Sequence, residues 1–225
     1  MDFELTEQMD DAISSNDLEC IRKLVSLKDF NINEKTIRGT FLQVAIREKN
    51  DEIAIFLIEK GIDINCIAGV TKTSALTDAV FKNNKKIVEI LCKNGAKLDV
   101  SNADNNPLFF AISGRKVEIA KYLIDAGIDI YTTYKIGEIE NCDACEWAKK
   151  WGTKDVYDYL IEKETSDAKL FEVMASTSFE SLCKIVKDTK DLYNADEKII
   201  CTAKGRRQLI EANSRGVSFR ALNYY

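Results

Sequence analysis

The feature that most constrains this chain of 225 residues is a phrase that recurs along it. The phrase "KIVEILCKNGAKLD" (86–99) has clear relatives in "DEIAIFLIEKGIDIN" (51–65) and "VEIAKYLIDAGIDI" (117–130), and a shorter one in "DVYDYLIEKET" (155–165). A unit that recurs in this way buries its apolar face against its neighbours, because one copy alone cannot enclose a core. The chain is therefore predicted to fold as a stacked array, which argues against an enclosed enzyme pocket.

Aligning the copies shows that each unit repeats the same small and apolar positions. A small residue of the predicted first helix recurs at steps of 33, 34, 32 and 37 residues, at Ala12, Ala45, Ala79, Ala111 and Ala148. A leucine of the second helix follows twelve residues after each of them, at Leu24, Leu57, Leu91, Leu123 and Leu160. In the three central units a glycine comes four residues later, at Gly61, Gly95 and Gly127. Each glycine is predicted to end its helix in the left-handed conformation.

This pattern resembles the ankyrin repeat, a unit of about 33 residues with a turn and two helices. The family's Thr-Pro-Leu-His-x-Ala opening survives in part, as "NPLFFA" (106–111), "TFLQVA" (40–45) and "SALTDA" (74–79). Other residues replace its histidine, namely Gln43, Thr77, Phe109 and Glu146. The resemblance covers roughly residues 5–165. It implies an all-α solenoid of helix-turn-helix units joined by β-turn or hairpin fingers.

The predicted domain organisation is an ankyrin repeat array over residues 1–165, followed by a terminal region over 166–225. Residues 171–197 can be laid on residues 9–34, which predicts a degenerate sixth unit. Residues 198–216 are then predicted to form one further helix that caps the array. Atypical end units are expected of such arrays, because one of their faces meets water.

The chain contains no histidine, and this excludes several classes of enzyme. It removes the commonest general base, every Ser-His or Cys-His pair, and all metal sites that need an imidazole ligand. Phosphate-binding loops with the Gly-Lys-Ser/Thr pattern and Gly-rich dinucleotide turns are also missing from the sequence. We therefore expect neither an enzyme nor a bound cofactor or metal; an enzyme with its site in residues 166–225 is the remote alternative.

The seven cysteines are scattered and odd in number, which suits a reducing compartment. The apolar runs of the sequence, such as residues 53–58 and 108–112, are far shorter than the ~20 residues that span a bilayer. The first residues also lack the basic and apolar regions of a secretory signal. A cytoplasmic protein is predicted, or one delivered to a host cell if the source is an intracellular microbe.

The pair "CDAC" (142–145) has the spacing of a redox or metal motif. A zinc site would need two further thiolates, since the chain has no histidine to complete it. The repeat pattern instead places Cys145 at a buried position and Cys142 in an exposed turn. Core packing, redox chemistry and metal binding all remain open at this point, with packing favoured.

The two ends of the chain differ in charge. Residues 1–20 hold seven acids and no Lys or Arg, whereas residues 198–225 hold six basic residues against Glu211 alone. These ends are either solvated caps or surfaces for different partners. The cluster "KGRRQ" (204–208) could contact phosphate or an acidic protein, but it lacks the interleaved aromatic residues that favour a nucleic-acid site.

The resemblance implies that partners bind at the turn tips and at the exposed side of the first helices. Carried over to this sequence, the turn positions are Arg38, Lys72, Asp104 and Asn141, and the helix positions are Arg47, Phe81, Ser113 and Lys150. Trp151, four residues after Trp147, adds an aromatic residue at a helix end. Basic residues and one exposed phenylalanine predict a partner with an acidic segment and an apolar anchor, docked with Phe81 as the hot spot.

The predicted function is a protein–protein interaction module that binds through a concave groove and its finger tips, as an adaptor or an inhibitor. The alternative is a microbial effector or immunity-type protein acting on one target, which the richness in Lys, Asn and Ile suggests through an AT-rich genome. The lengthened turn at residues 131–141 is either a binding finger or a tolerated insertion.

Overall fold

The computed structural model describes residues 3–176, with the side chains of residues 4–165. This part of the chain is a series of helix pairs. The first helices are α1 (Phe3–Ser14), α3 (Phe41–Arg47), α5 (Ala75–Phe81), α7 (Pro107–Ser113) and α9 (Ala144–Trp151). The second helices are α2 (Leu18–Ser26), α4 (Asp51–Glu59), α6 (Lys85–Lys93), α8 (Val117–Asp125) and α10 (Lys154–Ser176). The predicted all-α repeat solenoid is confirmed.

The three central first helices, α3, α5 and α7, are buried over nearly their whole length, which places them between neighbours. Six consecutive residues of α3, from Phe41 to Ile46, are buried, and so are the six from Ala75 to Val80 in α5. Helices α1, α3, α5 and α7 pack side by side, and α4 packs on α6. The aligned alanines and leucines of all five units are buried, which confirms the repeat pattern.

Left-handed residues end the second helices and join the two helices of each pair. Gly61, Gly95 and Gly127 have φ angles of +80°, +84° and +94°, as predicted. A Cβ at any of them would meet no atom within 4 Å, so the backbone conformation alone favours glycine. The helices of each pair are joined through another left-handed residue, in turn Asn16, Lys49, Asn83, Arg115 and Gly152.

Two of the fingers between units form antiparallel hairpins. Strands β1 (Lys35–Thr36) and β2 (Gly39–Thr40) pair before α3, and β3 (Tyr134–Ile136) and β4 (Ile139–Cys142) pair before α9. The second hairpin contains a register irregularity. The long step of 37 residues is therefore taken up by an ordered hairpin. Before α7 the finger ends in a short 3-10 helix, Ala103–Asn105.

The chain divides into two compact units, Met1–Tyr122 and Leu123–Tyr225. Within residues 3–176, no helix is both long enough and apolar enough to cross a membrane. The predicted C-terminal cap and all but the first six residues of the predicted sixth unit (171–197) lie beyond Ser176, the last residue of α10, and so outside the described residues. The division predicted at residue 165 stays a prediction.

Candidate partner-binding surface

The starts of α3 and α5 are each bound to the next unit through a side chain at the family's histidine position. Thr40 and Gln43 form a capping box, in which the Gln43 Oε1 accepts from the Thr40 N–H at 2.9 Å. The Gln43 Nε2 donates to the Thr73 carbonyl at 2.6 Å, and the Thr77 hydroxyl donates to the Asn105 carbonyl at 3.1 Å. Gln43 and Thr77 therefore both supply a hydrogen bond between successive turns.

Arg47, at the end of α3, is held by the next unit. Its guanidinium donates to the Asp78 Oδ2 at 3.0 Å, and the Thr73 hydroxyl donates to the other carboxylate oxygen at 2.7 Å. The Asp78 side chain is 9% exposed and that of Arg47 27%. Burial raises the pKa of Asp78, against the opposing effects of the Thr73 hydrogen bond and the Arg47 charge. Arg47 thus neutralises a buried carboxylate.

Arg38, at the tip of the β1–β2 hairpin, is also paired within the chain. Its guanidinium lies 2.6 Å from the Glu48 carboxylate and 3.9 Å from that of Asp10. It also donates to the Ser14 hydroxyl at 3.1 Å. Burial raises the pKa of Asp10, whereas the nearby Arg38 charge lowers it. Both arginines of the predicted basic groove therefore have carboxylate partners in the first compact unit.

Phe81 differs from both arginines because its side chain points away from the packed helices. It is the last residue of α5 and is 63% exposed, although the six residues before it are buried. Its ring meets the edge of the half-buried Phe110 ring, with 6.5 Å between centroids and an interplanar angle of 86°. Its exposure agrees with its predicted place on the open side of the helix.

One cation that the sequence did not predict lies against this ring, and two more basic residues are direct sequence neighbours of the contacting pair. The Lys116 Nζ lies 5.5 Å from the Phe81 centroid and donates to the Phe81 carbonyl at 3.1 Å. Burial lowers the pKa of Lys116. Lys82 follows Phe81 directly, and Arg115 precedes Lys116 in the turn after α7. Lys82, Arg115 and Lys116 take part in none of the ion pairs seen among residues 4–165. Basic residues just after a first helix were the signal that could have identified them.

The remaining predicted positions of the first compact unit are modest surface features. Lys72 is exposed and has a φ of +49°. Asp104 is exposed in the short 3-10 helix, where its N–H donates to the Asn102 side chain at 2.9 Å. Ser113 is half-buried, and its hydroxyl donates to the Phe110 carbonyl at 3.4 Å. Of these positions, Lys72 is the one with an exposed cationic side chain.

In the second compact unit, Lys150 and Trp151 both contact the ring of Trp147. The Trp151 ring is 42% exposed and meets the Trp147 ring edge-on at 5.7 Å. The Lys150 Nζ lies 5.1 Å from the Trp147 centroid. Trp147 is half-buried, and Asn141 is exposed in β4.

The two cysteines of the "CDAC" motif are both buried, so the predicted exposure of Cys142 was wrong. Cys142 is the last residue of β4, and its pairing with β3 in an ordered hairpin replaces the open turn that the alignment assumed. Cys145 is buried as predicted, and its thiol donates to the Glu164 carboxylate at 3.4 Å. Burial, with the Glu164 charge, raises the pKa of Cys145 to about 12, and burial also raises the pKa of Cys142. Both side chains are therefore thiols at neutral pH, which suits packing.

Comparison with known proteins identifies the repeat independently. The family described as ankyrin repeats (3 copies) matches residues 9–102 and 68–134, which together exceed half of the chain. A protein of fowlpox virus (strain NVSL), named as an ankyrin repeat protein, is 31% identical over 114 residues, which make up 50% of this chain and 19% of the relative. One of Rickettsia felis is 28% identical over 155 residues, 68% of this chain and 34% of the relative.

A third relative, named as an ankyrin repeat-containing protein of Treponema pallidum, is 30% identical over 110 residues. That match covers 48% of this chain and 37% of the relative. The chain thus spans between about a fifth and about a third of the length of these curated relatives. The repeated helix pairs, the buried alanines and leucines and the family match agree, and the chain belongs to the ankyrin repeat family.

Proposed function

We propose that this chain is an adaptor or inhibitor that captures a partner protein at the Phe81 surface, defined as Phe81, Lys82, Phe110, Arg115 and Lys116. Ankyrin repeats are in general protein–protein interaction modules. The observation that carries the proposal is the exposure of Phe81 at the end of an otherwise buried helix. An exposed aromatic side chain there adds nothing to the core but suits an interface hot spot.

The charge around the ring indicates the chemistry of the partner. Lys116 lies against the Phe81 ring, and Lys82 and Arg115 are the sequence neighbours of Phe81 and Lys116, so three basic residues follow the C-terminal ends of α5 and α7. A segment with an apolar side chain and flanking carboxylates would bury its apolar group on Phe81 and pair with the cations at the rim. The partner is therefore again proposed to be acidic, as predicted from Arg38 and Arg47. Its carboxylates would pair with Lys82, Arg115 and Lys116 instead of those two arginines.

Arg38 and Arg47 have a supporting role in this proposal. The Arg38 guanidinium binds the Glu48 carboxylate just after α3, and that of Arg47 binds the buried Asp78 of α5, so replacing either arginine would change contacts within the chain as well as the surface charge. An alanine variant of either arginine would confound folding with binding. Phe81 is the sharper test because its side chain is mostly exposed.

The experiment compares partner capture by the wild-type chain and by Phe81→Ala, using the full chain as bait in extracts of the native cell. Quantitative mass spectrometry of the captured proteins should show the loss of one partner, with its affinity lowered by about 30-fold, which corresponds to about 2 kcal/mol. Ile161→Ala is the matched control, because it also shortens an exposed apolar side chain, but in α10. This control should retain the partner.

Charge reversal tests the second half of the proposal. Lys82→Glu with Arg115→Glu should weaken capture and reduce its dependence on salt, because steering of an acidic partner is screened by ions. Lys93→Glu, on an exposed position of α6, is the matched control. Undiminished capture by Phe81→Ala, combined with loss of capture on removing residues 198–225, would refute the Phe81 surface.

A further inference from the structure

In the first unit, an aspartate occupies the position of the family's histidine. Asp10 lies two residues before the aligned alanine of α1, as Gln43 and Thr77 do in α3 and α5. In those two helices the side chain at this position donates a hydrogen bond to the next unit. An ionised carboxylate can only accept hydrogen bonds. Asp10 therefore cannot supply the same bond unless its carboxyl group is protonated.

The repeat also indicates which group would accept a bond from Asp10. Gln43 donates to the carbonyl of Thr73, which directly precedes the N-cap residue of α5. Thr77 donates to the carbonyl of Asn105, which directly precedes the N-cap residue of α7. The residue that directly precedes the N-cap of α3 is Gly39, in strand β2. The equivalent acceptor in the first unit is therefore the Gly39 carbonyl.

The Gly39 carbonyl has the capacity for such a bond, and Asp10 lies beside its hairpin. This carbonyl accepts from the Thr36 hydroxyl at 3.0 Å, which leaves the second lone pair of its oxygen for another donor. The Asp10 Oδ2 lies 3.9 Å from the guanidinium of Arg38, the residue directly before Gly39. The carboxyl group and the hairpin are thus neighbours in the structure as well as in the repeat pattern.

One oxygen of the Asp10 carboxyl group is buried without a hydrogen-bond partner. The side chain is 19% exposed, and among the described side chains its Oδ1 is the one buried polar atom that lacks a partner. A buried acceptor without a donor costs free energy, so native structures rarely contain one. Protonation would convert this carboxyl group from an acceptor into a donor as well.

The charges around Asp10 leave its carboxylate weakly compensated. The Arg38 guanidinium lies closer to Glu48, at 2.6 Å, than to Asp10. Arg47 of α3 also acts on Asp10 but is bound to a carboxylate of α5, and Asp11 adds a like charge. Within the described residues, α2 packs on α1 but adds no charge that acts on Asp10. Burial has the largest effect and raises the pKa of Asp10, against the two arginines.

We propose that Asp10 is a proton-controlled link between the first unit and the β1–β2 hairpin, in which the protonated carboxyl group donates a hydrogen bond to the Gly39 carbonyl. Ionisation removes the donor and breaks the link. Because burial raises the native pKa of Asp10, the stabilising contribution is fully present below the ordinary value of 3.8 and is lost as pH rises through the native pKa. The inference uses none of the residues of the Phe81 surface and stands independently of it.

An NMR titration of the full chain tests the link directly. The ¹³C signals of the Asp10 carboxyl group and of the Gly39 carbonyl are followed together from neutral to acidic pH. The Gly39 signal should move with the midpoint of Asp10, because the link adds a donor to that oxygen. Asp10→Asn removes the titrating group and should abolish this movement. A Gly39 signal that does not follow Asp10 in the wild type would overturn the proposal.

Two variants separate the hydrogen bond from the removal of a charge. The asparagine of Asp10→Asn has an amide donor at every pH, whereas the leucine of Asp10→Leu has a similar size and no donor. Asp10→Asn should lower the unfolding equilibrium constant at pH 7 by about fivefold, as expected for one added hydrogen bond. Asp10→Leu should lower it by less. Urea unfolding followed by circular dichroism measures both variants.

The pH dependence gives the remaining test. The advantage of Asp10→Asn over the wild type should be greatest at neutral pH and should shrink as Asp10 becomes protonated, because the wild type then has its own donor. Asp11→Asn is the matched control, since it removes the neighbouring exposed carboxylate of α1, and it should change the unfolding constant by less than about twofold. The proposal is overturned if Asp10→Asn is no more stable than the wild type at pH 7, if Asp10→Leu stabilises as much, or if the advantage grows on acidification.

Discussion

Helices α3 and α5 are built alike and end differently. Each has seven residues, of which the first six are buried, and they start 34 residues apart. At the seventh position, Arg47 of α3 binds the buried Asp78 of the next unit, whereas Phe81 of α5 remains exposed. The same position of the repeat is therefore part of the scaffold in one unit and part of the surface in the next.

This difference shows what a repeat pattern can and cannot assign. The pattern identifies a position that faces away from the core, and both residues occupy such a position. Whether the side chain is available to a partner depends on the neighbouring unit, because a carboxylate there can bind it. Four predictions test the contrast between α3 and α5, taken from the largest expected effect to the smallest.

Arg47→Ala should lower the free energy of unfolding by about 2–3 kcal/mol, because it leaves the buried Asp78 carboxylate without its cation. Urea unfolding followed by circular dichroism measures this change. The matched control is Lys85→Ala, which removes the exposed ion pair with Glu118 and should change stability by at most about 0.5 kcal/mol. Equal effects of the two variants would contradict a scaffold role for Arg47.

Gln43→Ala should cost about 2 kcal/mol, because it removes the bond to the Thr73 carbonyl and opens the capping box with Thr40. Thr77→Val, at the equivalent position of α5, should cost about 1 kcal/mol through loss of the bond to the Asn105 carbonyl. The same urea titration compares the two variants. A larger loss of free energy of unfolding for Thr77→Val would show that the hydrogen bond at the start of α5 stabilises the fold more than those at the start of α3.

Asp78→Asn should cost at most about 1 kcal/mol at neutral pH, since it removes a buried charge and keeps an acceptor for Thr73. Because burial raises the native pKa of Asp78, its stabilising contribution is fully present below the ordinary value of 3.8 and is lost as pH rises through the native pKa. The free energy of unfolding of the variant should therefore lie closer to that of the wild type at neutral pH than below pH 3.8. Urea unfolding across this pH range checks the sign, and the opposite trend would contradict it.

Phe81→Ala should change the free energy of unfolding by less than about 1 kcal/mol, because the ring is mostly exposed and loses one edge contact with Phe110. Thermal or urea unfolding measures it beside the binding experiment. A loss of about 3 kcal/mol, as expected for a buried phenylalanine, would place Phe81 in the scaffold and remove the contrast with Arg47.

Much of the fold could be predicted because its signals are local. Helix ends at Gly61, Gly95 and Gly127 follow from the left-handed conformation that glycine adopts without strain. The burial of the aligned alanines and leucines follows from helical spacing. The same spacing placed Phe81 on the open side of α5, where the structure shows it exposed.

Other features of the site depended on contacts that no local pattern reports. Alignment placed Cys142 in an exposed turn, but the β3–β4 hairpin buries it. Lys116 lies beside Phe81 although 35 residues separate them.

The sequence by itself determined a stacked array of ankyrin repeats, because periodic apolar residues and left-handed glycines act within a single unit. The tertiary structure decided which outward residues remain available. Arg47 and Asp78 are 31 residues apart in sequence, and only stacking one unit on the next brings their opposite charges to 3.0 Å. That contact occupies Arg47, whereas Phe81, at the equivalent position of α5, remains exposed.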